Sequence, residues 1–299
     1  MSTMLRALWA DKMTFVAFVL FLLLIVVGAL IGPMVLPYSP TGQNLLSRNL
    51  PPFSPHPTGG FPHVLGTDQL GRDLLARLLA AGRVSLFVAF VGVIISGVAG
   101  TLAGVSAGYF GGRVDNAVMR LADMQLALPF LLVAVFVLFV FGRGMTNVII
   151  ILAIERWPIY ARISRSFTLQ VKSQAYIDGA RVIGCSEPRI VFRHVIPNLL
   201  SPMVVLGTLE IARLILAEST LSFLGLGIQP PDSSWGLMVS QGRNVLGTAP
   251  WNVWLPGLFI FITALSVTLL ATWARAVTDP TQRWRWLQGS GSATPSRAA

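Results

Sequence analysis

The chain has 299 residues, of which 54% are hydrophobic and 11% charged, with a formal net charge of +10 at pH 7. Soluble domains carry about 25% charged residues, so this composition excludes a large soluble core and indicates an integral membrane protein. The basic surplus fits loops retained on the cytoplasmic face, and nucleic-acid binding is set aside because no basic patch lies on a soluble fold.

Six apolar stretches are candidates to span a bilayer, which takes about 20 helical residues each. The first runs from Phe15 to Leu36, after Arg6 and Lys12. Its apolar run is longer than that of a secretory signal and no small-x-small site follows, so an uncleaved span is expected. Residues 37–83 form an extracytoplasmic loop, irregular where Pro and Gly are dense. Within it, LGTDQLGRDLLARLL (65–79) turns helical, with Thr67 or Asp68 as the expected cap. Leu70, Leu74, Leu75, Leu78 and Leu79 share one face, which predicts an amphipathic helix lying on the outer membrane surface.

The second span, about 84–109, is rich in Gly, Ala and Ser and is expected to pack closely against other helices. The third is about Met119 to Phe141. The fourth, Met145 to Tyr160, is short and interrupted by Pro158. The fifth runs from Leu199 to Leu226 and the sixth from Trp251 to Trp273. Between these two, Pro230-Pro231 stop span five and the rest of 227–250 is expected to fold back over the bundle. The Gly/Ser/Ala/Pro-rich tail after Trp286 has a disordered composition. With the N-terminus inside, fifteen Lys and Arg fall on the inner side and six on the outer, leaving Arg213 within a span. This bias places both termini in the cytoplasm.

No Walker A, GxSxG, HExxH or GxGxxG motif occurs. The single cysteine, Cys185, excludes an intrachain disulfide and reads as a small residue in a turn. Three scattered histidines give no metal-ligand spacing. Neither a catalytic nor a metal site is therefore expected. Charge at membrane depth is the other notable feature: Glu155 and Arg156 near the end of span four, and Glu210, Arg213 and Glu218 in span five. Such residues usually face a bundle interior. Glu210 and Arg213 are spaced to neutralise each other, so a self-paired structural charge and a transport site both stay open. The same residues are the support for an ion-coupled secondary transporter, against which no inverted repeat is visible.

The polar segment between spans four and five carries the strongest signal. A helix is expected from Ala161 to Val182, with Gly184 breaking it. Ser186 then caps a short helix with Glu187 and Pro188 in its first turn. Pro197 is expected to end that helix before span five. A solvated basic loop and a docking element for a cytoplasmic partner are the two readings of this pattern.

DGARVIGCSEPRIVFRHVIPN (178–198) resembles the EAA loop of ABC importer permeases. Asp178, Gly179 and Ala180 align with the opening Glu-Ala-Ala, Gly184 with the glycine, and Ile196-Pro197 with the closing Leu-Pro. The ending RHVIPN, with Arg193 and His194, is similar to the branch that carries dipeptides, oligopeptides and nickel, in particular to its second permease subunit. So are the stretches 65–79, 217–236 and 250–280. Asp178-Gly179 depart from the usual Glu-Ala: the carboxylate sits on a shorter arm, and Gly179 weakens the helix by roughly 1 kcal/mol relative to Ala.

The resemblance implies an all-α integral membrane fold of six transmembrane helices, with a cytoplasmic helix-turn-helix coupling loop (175–198) between spans four and five. It divides the chain into an N-terminal stub and first span (1–36), the outer loop (37–83), the transporter domain (84–280) and a cytoplasmic tail (281–299). It implies a permease of a prokaryotic inner membrane, with ATP and Mg held by partner subunits and no cofactor on this chain. One or two cytoplasmic ATP-binding subunits would grip the loop. A second homologous permease would complete the pathway, and the small residues of span two suit packing against it. An extracytoplasmic binding protein would land on the outer segments, with Asp68, Arg72 and Asp73 as candidate contacts by topology. Membrane lipid surrounds the bundle. Peptide is the expected cargo; nickel chelates and glutathione are the alternatives.

Overall fold

Asp73 sets where the longest helix begins. Its carboxylate accepts the Ala76 N–H at 2.8 Å and so caps α2 (Leu74–Phe110). The computed structural model describes residues 12–25, 28, 32, 36–55 and 61–278. The other helices are α1 (Lys12–Ile25), α3 (Gly112–Ala127), α4 (Phe130–Phe141), α5 (Met145–Lys172), α6 (Ala175–Val182), α7 (Glu187–Ile190), α8 (Ile196–Phe223), α9 (Trp235–Gly242) and α10 (Trp251–Thr278). β structure among the described residues is confined to two isolated bridges, Ser54 with His63 and Thr67 with Asp73. The N-terminal stub, most of the first expected span beyond Ile25 and the tail 281–299 lie outside the described residues.

α2 joins what the sequence pattern separates. The apolar face at 70–79 does not lie on the membrane surface. Residues 65–73 are irregular and non-helical, with Thr67 bridged to Asp73, and Leu74, Leu78 and Ala81 belong to the first turns of the spanning helix, buried with Trp235 and Met238. No breaker interrupts the chain there. Gly82 makes room instead, since a Cβ at that position would come within 2.8 Å of the Trp235 ring.

Further along α2, Gly100, Gly104 and Gly108 recur every four residues and bring its backbone against α5. A Cβ on Gly100 would meet the Trp157 carbonyl at 2.4 Å, and one on Gly104 the Ala161 carbonyl at 2.2 Å. The close packing expected of this span is present, but α5 of the same chain occupies this small-residue face. It is not left over for a second permease.

The expected third span is two helices whose axes turn by 93°. Leu128 precedes Pro129 and is driven out of the helical region, to φ −87° and ψ 132°. Pro158, in contrast, does not end α5, which runs on to Lys172. The carbonyl that this proline leaves without a helical donor is that of Ile154, and Gln125 of α3 supplies the missing hydrogen bond.

α8 also departs from expectation. Helical winding runs from Glu187 to Phe223, with a π-helical turn at Val191–Val195 between α7 and α8. Pro197 does not end the short helix. It sits in the first turn of α8, where a missing N–H is tolerated.

α2, the stretch Glu187–Phe223 and Trp251–Arg275 are each long and apolar enough to cross a bilayer; the bent α3–α4 pair is a fourth if taken as one span. Six spans are not reached among the described residues. α1 has 14 residues, and α5 carries Glu155, Arg156, Arg162, Arg165 and Lys172.

Candidate functional site

The polar segment folds as a clasp. α5 stops at Ser173, so the helix expected over 161–182 is two helices, with Gln174 extended between them. At the far end of α6 the Gly184 N–H bonds the Arg181 carbonyl at 2.9 Å and the Cys185 N–H bonds the Ala180 carbonyl at 3.0 Å. With Gly184 at φ +82° this is a Schellman close, which needs a residue at ease in the left-handed region. Ser186 stands at the start of α7 as expected, although its side chain makes no capping bond.

α6 divides the docking candidates into two groups. Ile177 and Ala180 are buried against Val105, Tyr109, Ile190 and Val195. Asp178, Gly179 and Gly184 face outward, as do Arg193 and Pro197, while His194 and Ile196 are half-buried. Ala180 is therefore a packing residue, not a contact surface. Asp178 pairs with Arg181 at 3.0 Å yet keeps 69% of its side chain exposed. The clasp is tied to the end of α2: Tyr109 donates to Glu187, and Lys172 Nζ donates to the Tyr109 carbonyl at 2.6 Å. Hydrogen bonding to Tyr109, with Glu187 and Asp178 beside it, holds Arg181 above its ordinary pKa.

Two residues here were not singled out from the sequence. Val182 and Ile183, directly before the turn glycine, are 88% and 79% exposed. With Asp178 they form an apolar edge beside a carboxylate, suited to a groove with a basic rim. The signal was available: an apolar pair lies off the buried face of α6.

The intramembrane charges form one cluster and one outlier. Glu210 is buried and accepts from Arg213 at 2.9 Å, while Arg156 lies 3.4 Å from its other oxygen. Arg156 also pairs with Glu155 at 2.8 Å. The cluster therefore bridges α5 and α8. Beside it, at the α3–α4 bend, a cavity of about 260 Å³ is lined by Glu155, Arg156, Gln125 and Phe130 among others. Glu218 lies apart, fully buried, and accepts from Ser85 at 3.1 Å and Ser222 at 2.6 Å. Those serines also receive the N–H groups of Trp235 and Ile228, so this carboxylate fastens α2, α8 and the returning segment together. It does not line a passage in this conformation.

The loop before α2 corrects another expectation. Asp68 and Asp73 are each 4% exposed. Asp68 accepts from Arg72 Nε at 2.7 Å, from Arg77, and from the Leu70 and Arg72 N–H groups. Asp73 caps α2 and lies 2.9 Å from His63. Both carboxylates shape the loop from inside; of the three candidate contacts only Arg72 reaches the surface. The segment 227–250 does fold back: Trp235 donates to the Leu78 carbonyl at 3.0 Å, and Arg77 to Gln241 at 2.9 Å.

Residues 100–284 match the family described as binding-protein-dependent transport system inner membrane component. Residues 1–52 match the N-terminal TM domain of oligopeptide transport permease C. The chain is 40% identical over 261 residues to the di/tripeptide transport system permease protein DppC of Pseudomonas aeruginosa (strain UCBPP-PA14), covering 87% of this chain and 86% of that one. It is 35% identical over 280 residues to the nickel transport system permease protein NikC of Escherichia coli (strain K12), covering 94% and 97%. A solved structure of the MetNI methionine ABC transporter in an inward-facing conformation matches with TM-score 0.54 at 19% identity, over 66% of this chain and 94% of that chain. That likeness bears on the fold alone.

Proposed function

The chain belongs to the binding-protein-dependent transport system inner membrane components, and we propose that within this family it passes di- and oligopeptides inward. It is a permease subunit of a bacterial ABC importer, not an enzyme; ATP hydrolysis belongs to partner subunits, and a binding protein delivers the cargo. The observation that supports a working docking surface is the clasp itself: a rigid turn at Gly184 displaying Val182, Ile183 and Asp178. The apolar pair would enter a groove of the ATP-binding subunit, and Asp178 would accept from a basic residue at its rim.

The route from that contact to the membrane is short. Winding is unbroken from Glu187 to Phe223, so a pull on the clasp reaches Glu210 and Arg213 through α8. Closure of the ATP-binding subunits, with ATP and Mg between them, would draw the clasps of two permeases together and shift the bundle as a two-state element. In this reading the clasp and both termini lie in the cytoplasm, and a homologous second permease supplies the other wall of the pathway.

Peptide is favoured over a nickel chelate by the cluster at membrane depth. Glu155, Arg156, Glu210 and Arg213 offer both signs of charge, as a zwitterion requires, and none is the imidazole or thiolate that suits nickel. The test is reconstitution of the complete complex in vesicles with its binding protein. ATP-dependent dipeptide accumulation is expected; nickel accumulation without dipeptide uptake would overturn the peptide reading.

A further inference from the structure

Arg213 occupies the middle of a long apolar helix, ten residues or about 15 Å from its Phe223 end. Its side chain is nonetheless 60% exposed on the surface of this chain, whereas that of its partner Glu210 is 1% exposed. An arginine facing hydrocarbon at that depth is costly, and such residues turn toward a bundle interior or a water-filled cavity. The exposed face of α8 at Arg213 is therefore a wall of something other than lipid.

The cluster behind it is built to hold that guanidinium in place. Glu210 anchors two arginines at once, Arg213 at 2.9 Å and Arg156 at 3.4 Å. Glu155, with 21% of its side chain exposed, holds Arg156 from the other side. The four charges cancel, so the cluster stands without an outside partner. Only one Arg213 nitrogen is committed to Glu210, which leaves the rest of a planar donor fork open. A carboxylate fits that fork with two parallel hydrogen bonds.

We propose that Arg213 lines the transport pathway and binds the carboxylate of the passing peptide. This rests on the peptide reading above. A carboxylate of the second permease and a lipid phosphate would satisfy the same donors, and the experiment separates them.

The experiment uses Arg213→Cys in the reconstituted complex. The parent chain, with Cys185 as its single cysteine, is the control for reaction elsewhere. Dipeptide uptake is expected to fall about tenfold or more, the loss of a charged hydrogen bond. The introduced thiol should react with charged methanethiosulfonates, and more slowly when dipeptide-loaded binding protein and ATP are present. The aminoethyl adduct, which returns a cation, should restore uptake; the sulfonatoethyl adduct should not. Arg213→Lys keeps a cation beside Glu210 and should retain part of the activity.

An inert thiol would mean a lipid-facing or sealed position and would overturn the proposal. So would unchanged uptake, or equal loss in the Lys variant with the complex intact. Loss of the second permease from the purified Arg213→Cys complex would make the residue an interface contact and also overturn it. Failure of the peptide reading is distinct: the parent complex then imports no dipeptide, while labelling still reports whether position 213 meets water.

Discussion

The side-chain amide of Gln125, on α3, donates to the backbone carbonyl of Ile154, on α5. Ile154 is four residues before Pro158, so its carbonyl is the one that the proline deprives of a helical donor. The carbonyl lies at the wall of the cavity beside Glu155 and Arg156, and a neighbouring helix supplies its partner there. Trp157 in turn donates to the Gln125 side-chain oxygen at 2.5 Å, which fixes the amide's orientation.

Gln125→Leu is expected to destabilise the chain by about 0.5–1.5 kcal/mol, the net value of one hydrogen bond that is open on one side. Pro158→Ala supplies a helical N–H to Ile154, so the same substitution in that background should cost less than half as much. Thermal unfolding of the four proteins in detergent, read as a double-mutant cycle, checks it. Additive losses would show that the two positions are not coupled.

Gly184→Ala should weaken uptake without preventing membrane insertion. Nothing lies within 4 Å of a Cβ there, so space is no obstacle; the backbone at φ +82° is. The left-handed conformation costs an ordinary residue about 1–2 kcal/mol, and the Schellman close should loosen by that amount. Gly184→Asn, more at ease in that region, should lose less. Co-purification of the ATP-binding subunit with each variant gives the ranking.

Two alanine substitutions should act in opposite directions. Gly104→Ala forces a Cβ within 2.2 Å of the Ala161 carbonyl and should cost about 3 kcal/mol, at the upper end of overpacking. Gly179→Ala meets open space on the outer face of α6 and should stabilise that helix by up to about 1 kcal/mol. Melting temperatures of the purified chain distinguish the two.

Glu218→Leu should free the returning segment. It removes the acceptor for Ser85 and Ser222 and leaves their hydroxyls buried, at about 1–3 kcal/mol for each group left unpaired. Glu218→Gln keeps an acceptor oxygen and should cost less. Limited proteolysis within residues 227–250 is expected to quicken in the Leu variant and to change little in the Gln variant.

The parts legible in the sequence are those governed by local rules. The turn at Gly184 followed from a glycine between helical patterns, and α10 from an uninterrupted apolar run. Asp178 and Gly179, picked out by their alignment with the opening of the motif, are exposed on α6, whereas Ala180 beside them is buried. What was not legible depends on neighbours. Leu74 and Leu78 read as a membrane-surface stripe because Trp235, which covers them, lies more than 150 residues away. The donor that Pro158 denies to Ile154 comes from Gln125, which no spacing within α5 announces. Asp68 and Asp73 look like surface acids until Arg77 and His63 are seen to enclose them.

The π-helical turn at Val191–Val195 holds one residue more than an α-helical turn would, and it lies between the clasp and α8. A wider turn takes up the additional residue locally, so the helices on either side stay continuous. Losing one residue there would let the turn close to an ordinary α-helical one, with the surface that displays Val182 and the ridge that displays Arg213 still nearly in phase. An insertion of one residue into regular α8 has no such slack and would turn the ridge by about 100°.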